Sequence, residues 1–335
     1  MKPVVIVDPH FRQMGEIFRS TDLERLRQVA QVVWAKDTPM PSEEFQLALP
    51  DAIAVVTGGW KRYGSEALTK AARLRAILDV GGSFPGTELD YEACFSRGIR
   101  VLSSAWAFGP MVAEMALGMA LAACREIAAG DAAMRDGKER WLHAGNSTTF
   151  SLYQQPVGFL GCGGLARSLA PLLIPFRCQI SAYDPWLTDA YIREEGYQPV
   201  SLEELFTRSR FLFVLAVPAP ENRALLDRPL LERLPQDSVL VLISRAHLVD
   251  FDALTELVLA GRFRTAIDVF PTEPLPADHP IRQATGAVLS AHRAGSVREG
   301  LHEIGRAVVD DLEAIVAGLP PRRMQQALPE LIRRR

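Results

Sequence analysis

The chain has 335 residues, enough for about two domains, and 48% of them are hydrophobic, ample for large cores. Its formal net charge of −3 carries no basic surplus, which argues against a nucleic-acid partner. Four cysteines without close pairing (Cys94, Cys124, Cys162, Cys178) fit reduced thiols of a cytoplasmic protein, and neither they nor the six scattered histidines have metal-ligand spacing, so no metal is expected.

From the N-terminus, short apolar runs at 4–7, 32–35, 53–57, 76–80 and 100–102 read as strands. The first is too short for a leader sequence. Helix-patterned stretches lie between them at 22–30, 42–49, 65–72 and 91–96, and this alternation predicts a parallel, doubly wound sheet. A long helix is expected from about Pro110 to Ala129, with Pro110 in its first turn and Gly130 as its stop. The mostly apolar part of it, 111–124, contains Glu114 and is short for a membrane span, so a buried helix and no membrane partner are expected. Residues 131–155 are poorly patterned and read as an arm. A second α/β run follows, with strands at 157–160, 179–183, 211–217, 238–243, 265–268 and 287–290. A final helix over 297–317 leads back to the first domain, and the basic tail Arg333-Arg334-Arg335 reads as a solvated terminus. The expected division is 1–104 with 297–335 as one domain and 105–296 as the other, inserted into it.

The most specific motif is Gly161-Cys162-Gly163-Gly164-Leu165-Ala166, a G-x-G-x-x-A turn between the strand at 157–160 and a helix-like segment. Gly161 permits a tight turn, Gly163 lets backbone approach a pyrophosphate, and Ala166 is small enough for close helix–strand packing. The N–H groups of Gly163, Gly164 and Leu165 at the helix start suit phosphates. Asp184, ending the next strand, stands about 20 residues beyond Gly163, where an acid accepts hydrogen bonds from the adenosine ribose and repels a 2′-phosphate. The cofactor expected is therefore NAD.

Three further segments begin at predicted strand ends: Ser244-Arg245-Ala246-His247, Asp268-Val269-Phe270-Pro271-Thr272-Glu273-Pro274, and Ser290-Ala291-His292-Arg293. Ligands of open α/β sheets sit at that edge. An Arg, a Glu and a His there suit hydride-transfer chemistry on a small acid. Arg245 would hold a carboxylate and polarise a carbonyl. His292 would exchange a proton with the developing alkoxide. Glu273 would orient the imidazole and favour its protonated form. In the first domain, Trp60-Lys61-Arg62 offers two cations, either for a phosphate or second carboxylate or as a solvated loop.

These motifs resemble the D-isomer-specific 2-hydroxyacid dehydrogenases over nearly the whole chain, from Val80-Gly81-Gly82 through Gly98-Ile99-Arg100-Val101 and Val112-Ala113-Glu114 to the three segments above. The Asp268–Pro274 stretch looks like the phosphoglycerate dehydrogenase branch. The resemblance implies a flavodoxin-like substrate domain, an inserted Rossmann NAD-binding domain, and a homodimer built through the long helix and arm. It implies that Arg245, Glu273 and His292 are catalytic, and that Asp268 contacts the nicotinamide carboxamide. It places Gly81 and Gly82 on a loop whose N–H groups hold the substrate carboxylate, and Val217, Pro218 and Ser244 beside the cofactor. The substrate expected is a small 2-hydroxy or 2-keto acid, either phosphoglycerate/phosphohydroxypyruvate or glyoxylate/hydroxypyruvate. The chain departs from the family pattern at Leu242, Ala246, His247, Ala291 and Arg293, and at Ser103-Ser104-Ala105-Trp106 before the long helix. A second implied reading is an NAD-sensing, corepressor-like binding protein on the same fold.

Overall fold

The computed structural model describes residues 2–64, 66–82 and 89–332, apart from the side chain of Leu331. Ser65, the first residue of one expected helix, and the tail Arg333-Arg334-Arg335 lie outside them. The strands in chain order are β1 (Val4–Asp8), β2 (Gln31–Trp34), β3 (Ala52–Thr57), β4 (Ala76–Asp79), β5 (Arg100–Ser103), β6 (Pro156–Leu160), β7 (Gln179–Tyr183), β8 (Gln198–Pro199), β9 (Phe211–Val214), β10 (Val239–Leu242), β11 (Arg264–Ile267), β12 (Ala287–Leu289) and β13 (Gln325–Gln326). The chain forms two compact units, Met1–Phe108 with Ser296–Arg335, and Gly109–Gly295.

In the first unit the sheet order is β2-β1-β3-β4-β5, all parallel, with β13 antiparallel on β5. This is the flavodoxin-like order, whose direction of winding reverses between β1 and β3. The run Ala-Ile-Ala-Val-Val-Thr of β3 is buried at every position, because both faces of a parallel sheet are covered. The last helix, Arg298–Val316, returns to this unit and packs on the helix Ser20–Val29. A Cβ on Gly305 would stand 2.0 Å from the Ile17 carbonyl oxygen, so only glycine allows that approach. Buried Asp311 then accepts the N–H groups of Arg322, Arg323 and Met324 at 2.7, 2.9 and 2.8 Å, turning the chain into β13.

In the second unit the order is β8-β7-β6-β9-β10-β11-β12, again parallel throughout. The winding reverses between β6 and β9, as in dinucleotide-binding sheets. β9 and β10 are buried at every position, and Phe159 meets Phe213 edge to face at 6.0 Å in the core. The two doubly wound parallel sheets are those that the strand–helix alternation predicts.

Two local expectations are corrected, and two short strands were not foreseen. The strand expected over 211–217 stops at Val214, and 215–218 leaves the sheet. β8 and β13 carry no apolar pattern and pair only because a neighbouring strand offers an edge. The single helix expected to Ala129 is two, Gly109–Cys124 and Ile127–Arg135, with Glu126 left-handed at φ 51° and Gly130 inside the second. The break is stabilised from β11. The Arg264 guanidinium donates to the helix-end carbonyls of Ala123 (2.9 Å) and Cys124 (3.0 Å), which also accept the Glu126 and Phe150 N–H groups, and to Thr148 O (2.6 Å). The stretch Ala105–Cys124, 20 residues, is long and apolar enough to cross a membrane, by length and composition. In this fold Ala113, Ala116, Met119, Ala120 and Ala123 are buried in the second unit's core.

Candidate active site

β6 delivers the glycine turn to the reversal point of the second sheet. Gly161 has φ +98°, and a Cβ there would lie 2.7 Å from Ala216 Cα, so the turn requires glycine for both conformation and space. Around Gly163 and Gly164, by contrast, a Cβ would meet nothing within 4 Å. The helix Gly164–Leu173 starts there without a side-chain cap, leaving its first N–H groups facing open space, while Leu165 and Ala166 turn inward and anchor it to the core. Cys162 in this loop is fully buried. Burial first, and the charges of Asp184 and Glu195 second, push its thiol up to about 12, so it stays an unreactive thiol.

Asp184, just past β7, braces the loop. Oδ2 accepts the Cys162 N–H and Oδ1 the Trp186 N–H, both at 3.0 Å, and each oxygen keeps lone-pair capacity for a further donor. Val217 and Pro218 follow β9 in a loop clamped by Asn222, which accepts from Ala219 N and donates to Val217 O, both at 2.8 Å. His247 Nε2 lies 2.9 Å from Ala219 O, so this unusual histidine ties the loop after β10 to the loop after β9.

The expected catalytic residues stand at the ends of β10, β11 and β12. His292 Nδ1 lies 2.6 Å from Glu273 Oε2, while Glu273 Oε1 accepts the Phe270 N–H at 3.0 Å. Burial pushes the Glu273 carboxyl up. The hydrogen bonds from His292 and Phe270, with the charges of His292 and Arg245, outweigh it and hold the carboxyl below the usual glutamate range. A proton held on Nδ1 by Glu273 leaves Nε2 for a ligand. The pair is partly open, with side chains 42% and 37% exposed, so a ligand can reach it. Arg245 is half-buried, and its Nη1 donates to Ser244 O at 2.7 Å. Burial draws its pKa down and Glu273 opposes that, so a carboxylate is the natural partner for this charge.

Asp268 proves to be the support of this turn. It is 1% exposed, its oxygens accept the N–H groups of Arg293 (3.0 Å) and Ala294 (3.1 Å), and its own carbonyl accepts the His292 N–H at 2.8 Å. His292 is thereby held at φ +49°, a left-handed conformation that a non-glycine residue keeps only when its surroundings impose it. Sequence reading missed this bracing and the His247 tie because the residues they join are far apart in the chain, and it missed the local Asn222 clamp because the strand was expected to run on to Val217. The hydroxyls of Ser244 and Ser290, at the ends of β10 and β12, are buried without a partner. The open glycine loop and uncapped helix start, with these orphaned hydroxyls, fit a dinucleotide lying along the strand ends.

In the first unit, Gly81 and Gly82 follow β4. The Gly81 N–H is already donated to Asp79 Oδ1 at 2.6 Å, and Gly82, at φ +84°, lies so close to Phe108 that a Cβ would stand 2.6 Å from its ring. Burial pushes the Asp79 carboxyl up to about 6, moderated by that Gly81 hydrogen bond. Of the Trp60-Lys61-Arg62 loop, Trp60 is core at 5% exposure, and Arg62 is committed to Asp8 (3.1 Å) and Met40 O (2.9 Å). Arg62 is therefore not a cation waiting for a ligand.

Two doubly wound α/β units, one with a glycine-rich loop and a Glu–His pair at its strand ends, define a two-domain dinucleotide-binding protein. The chain belongs to the D-isomer specific 2-hydroxyacid dehydrogenases: residues 117–294, more than half of it, match that family's NAD-binding domain. It is 29% identical over 272 residues to the D-3-phosphoglycerate dehydrogenase of Mycobacterium tuberculosis, covering 81% of this chain and 50% of that one. It thus spans about half the length of the mycobacterial relatives it matches. It is 25% identical over 331 residues to the glyoxylate reductase of Korarchaeum cryptofilum, covering 97% of each. The crystal structure of a phosphoglycerate oxidoreductase from Rhizobium etli superimposes with a TM-score of 0.83 at 33% identity, covering 98% of this chain and 99% of that one.

Proposed function

We propose that the chain is an NAD-dependent oxidoreductase that interconverts a small D-2-hydroxy acid and its 2-keto acid. The observation that carries this reading is the Glu273–His292 pair at 2.6 Å, with Arg245 on the neighbouring strand end. Phosphoglycerate/phosphohydroxypyruvate and glyoxylate/hydroxypyruvate are the substrate pairs that the relatives' names support.

Bound nicotinamide would supply the hydride to the substrate's C2, or accept it in the reverse direction. The chain's own residues do the rest. Arg245 receives the substrate carboxylate and polarises the adjacent carbonyl through its planar fork. In reduction, His292 passes the Nε2 proton to the carbonyl oxygen as it becomes a hydroxyl. In oxidation, Nε2 takes that proton back. Glu273 holds the imidazole by Nδ1 throughout, and Asp268 fixes the turn that presents it. For the cofactor, the N–H groups of Gly163, Gly164, Leu165 and Ala166 would receive the pyrophosphate. The free lone pairs of Asp184 would receive the adenosine ribose hydroxyls and disfavour a 2′-phosphate. Val217 and Pro218 would flank the dinucleotide, and Ser244 and Asp268 would meet the nicotinamide end. Gly81 and Gly82 are assigned to the substrate carboxylate, Gly81 once Asp79 releases its N–H. In this reading, residues 1–104 with 297–335 serve the substrate and 105–296 the cofactor.

The same reading includes a cytoplasmic homodimer with neither membrane nor nucleic-acid partner. The dimer's support is the exposed apolar side chains Ile127, Met134, Trp141 and Leu142 on the helices and arm after the long helix. The test is loss of NADH absorbance with glyoxylate, hydroxypyruvate, phosphohydroxypyruvate, pyruvate and 2-ketoglutarate in separate reactions. Oxidation with one of them, abolished in His292→Ala, is expected. Silence across the panel with NADH bound would overturn the enzymatic reading.

A further inference from the structure

Two loops of the second unit, after β9 and after β10, lie side by side, and one side chain joins them. The loop after β9 runs from 215 to 224, and its regular structure is the single turn Pro220–Asn222. Pro218 and Pro220 donate no N–H, so the loop is held largely by groups that reach it from elsewhere. Asn222 supplies the local clamp. His247, in the loop after β10, supplies two more bonds. Its imidazole Nε2 lies 2.9 Å from Ala219 O, and its own carbonyl accepts the Ala224 N–H at 2.9 Å. Ala224 is left-handed at φ +49°, a conformation that a non-glycine residue keeps only when its surroundings impose it. Further on, Leu226 donates to Leu248 O at 2.9 Å and accepts the Asp250 N–H at 3.0 Å, with both leucines fully buried. Those are backbone bonds open to most residue types, whereas the imidazole bond is particular to a histidine at 247.

A carbonyl oxygen only accepts, so Nε2 carries the hydrogen whatever the state of Nδ1. Ala219 is 4% exposed, and its oxygen also accepts the Asn222 N–H at 3.1 Å. The imidazole therefore fills the second lone pair of a buried acceptor. His247 stands in the short turn Ala246–Leu248, which begins directly after Arg245. Its bond thus joins the turn that presents Arg245 to the loop that carries Val217 and Pro218. We propose that His247 is a positioning residue, which sets the loop after β9 in its binding conformation before a dinucleotide arrives. A loop already ordered leaves less ordering to the binding step, so the tie contributes to cofactor affinity without touching the cofactor. The identity of the ligand in this inference rests on the dehydrogenase reading; the tie itself does not.

The test compares His247→Ala, His247→Asn and His247→Gln with wild type, each as the full chain. Glutamine places its amide nitrogen as many bonds from Cα as Nε2, whereas that of asparagine reaches only as far as Nδ1. One readout is hydrogen exchange of the segment 215–226 without ligand, and the other is the Kd for NADH by fluorescence titration. His247→Ala and His247→Asn should exchange faster in that segment and bind NADH about 2- to 10-fold more weakly, the worth of one neutral hydrogen bond. His247→Gln should recover most of both. Wild-type NADH affinity in His247→Ala would overturn the proposal, and so would a weakening that glutamine does not recover, since His247 would then be structural only. Where turnover is found, His247→Ala should raise the KM for NADH and leave the pH profile of kcat, set by the Glu273–His292 pair, in place. A displaced profile would mean that the substitution acts on that pair, and would sink the positioning role. The dehydrogenase reading fails separately. Glutamine-rescued NADH binding without turnover of any keto acid supports the tie and removes the enzymatic reading, whereas a wild type that binds no NADH overturns both.

Discussion

The two sheets present similar strand-end edges and equip them oppositely. In the second unit the acids are already paired: Asp184 with the glycine loop, Asp268 with the turn after His292, Glu273 with Phe270 and His292. At its strand ends the hydroxyls of Ser244 and Ser290 are buried without a partner. In the first unit the buried atoms without a hydrogen-bond partner include Asp8 Oδ1, His10 Nδ1, Arg12 Nε, Trp60 Nε1 and Ser104 Oγ, and one carboxyl, Asp79, is pushed up to about 6 by burial. The contrast separates two tasks. Proton transfer needs a side chain held in one orientation before the ligand arrives, so its neighbours are satisfied internally. Recognition of a ligand charge needs a counter-charge left unpaired until binding.

The largest expected effect breaks the paired edge. His292→Ala should lower kcat about 100- to 10,000-fold with a smaller change in KM, the range for losing a positioned general acid. Retention of wild-type turnover in stopped-flow single-turnover assays would remove His292 from the chemistry. Arg245→Ala should lower kcat/KM about 100-fold, with KM raised, and Arg245→Lys should recover little because an ammonium lacks the planar fork. Full rescue by lysine would show that only charge matters there.

Asp79 tests the unsatisfied edge through stability. Its folded-state pKa lies above the unfolded value, so the fold binds the proton more tightly than the unfolded chain. Stability from this group is therefore greatest below about pH 4 and is lost as pH rises through about 6. Asp79→Asn keeps an acceptor for Gly81 and should stabilise the protein at pH 8 by up to about 3 kcal/mol, a gain that fades toward pH 4. A urea-melt difference independent of pH would contradict the buried-carboxyl account. The smallest effect expected is at Asp184, whose change to Ala should shift the ratio of NAD to NADP affinity about tenfold toward NADP, read by fluorescence titration. An unchanged ratio would leave Asp184 as a brace of the loop alone.

Much of this was legible in local patterns. Gly161, Gly163, Ala166 and Asp184 stand in one βαβ unit, where spacing along the chain is spacing in the fold. Arg245, Glu273 and His292 each follow an apolar strand, so their common edge follows from the rule for parallel sheets. The break at Glu126 was not legible, because the Arg264 that caps the helix end is 138 residues further on. Whether Arg62 was a ligand cation or a solvated loop charge stayed open in the sequence, because nothing local reveals Asp8 beneath it.

By itself the sequence determined the two doubly wound sheets, the tight glycine turn after β6 and the residue types at the strand ends, because periodicity and glycine conformational freedom act over a few residues. Only the tertiary structure decided which of those polar groups are satisfied and which stand unpaired. Hydrogen bonds and desolvation are settled by neighbours that the chain brings together from far apart.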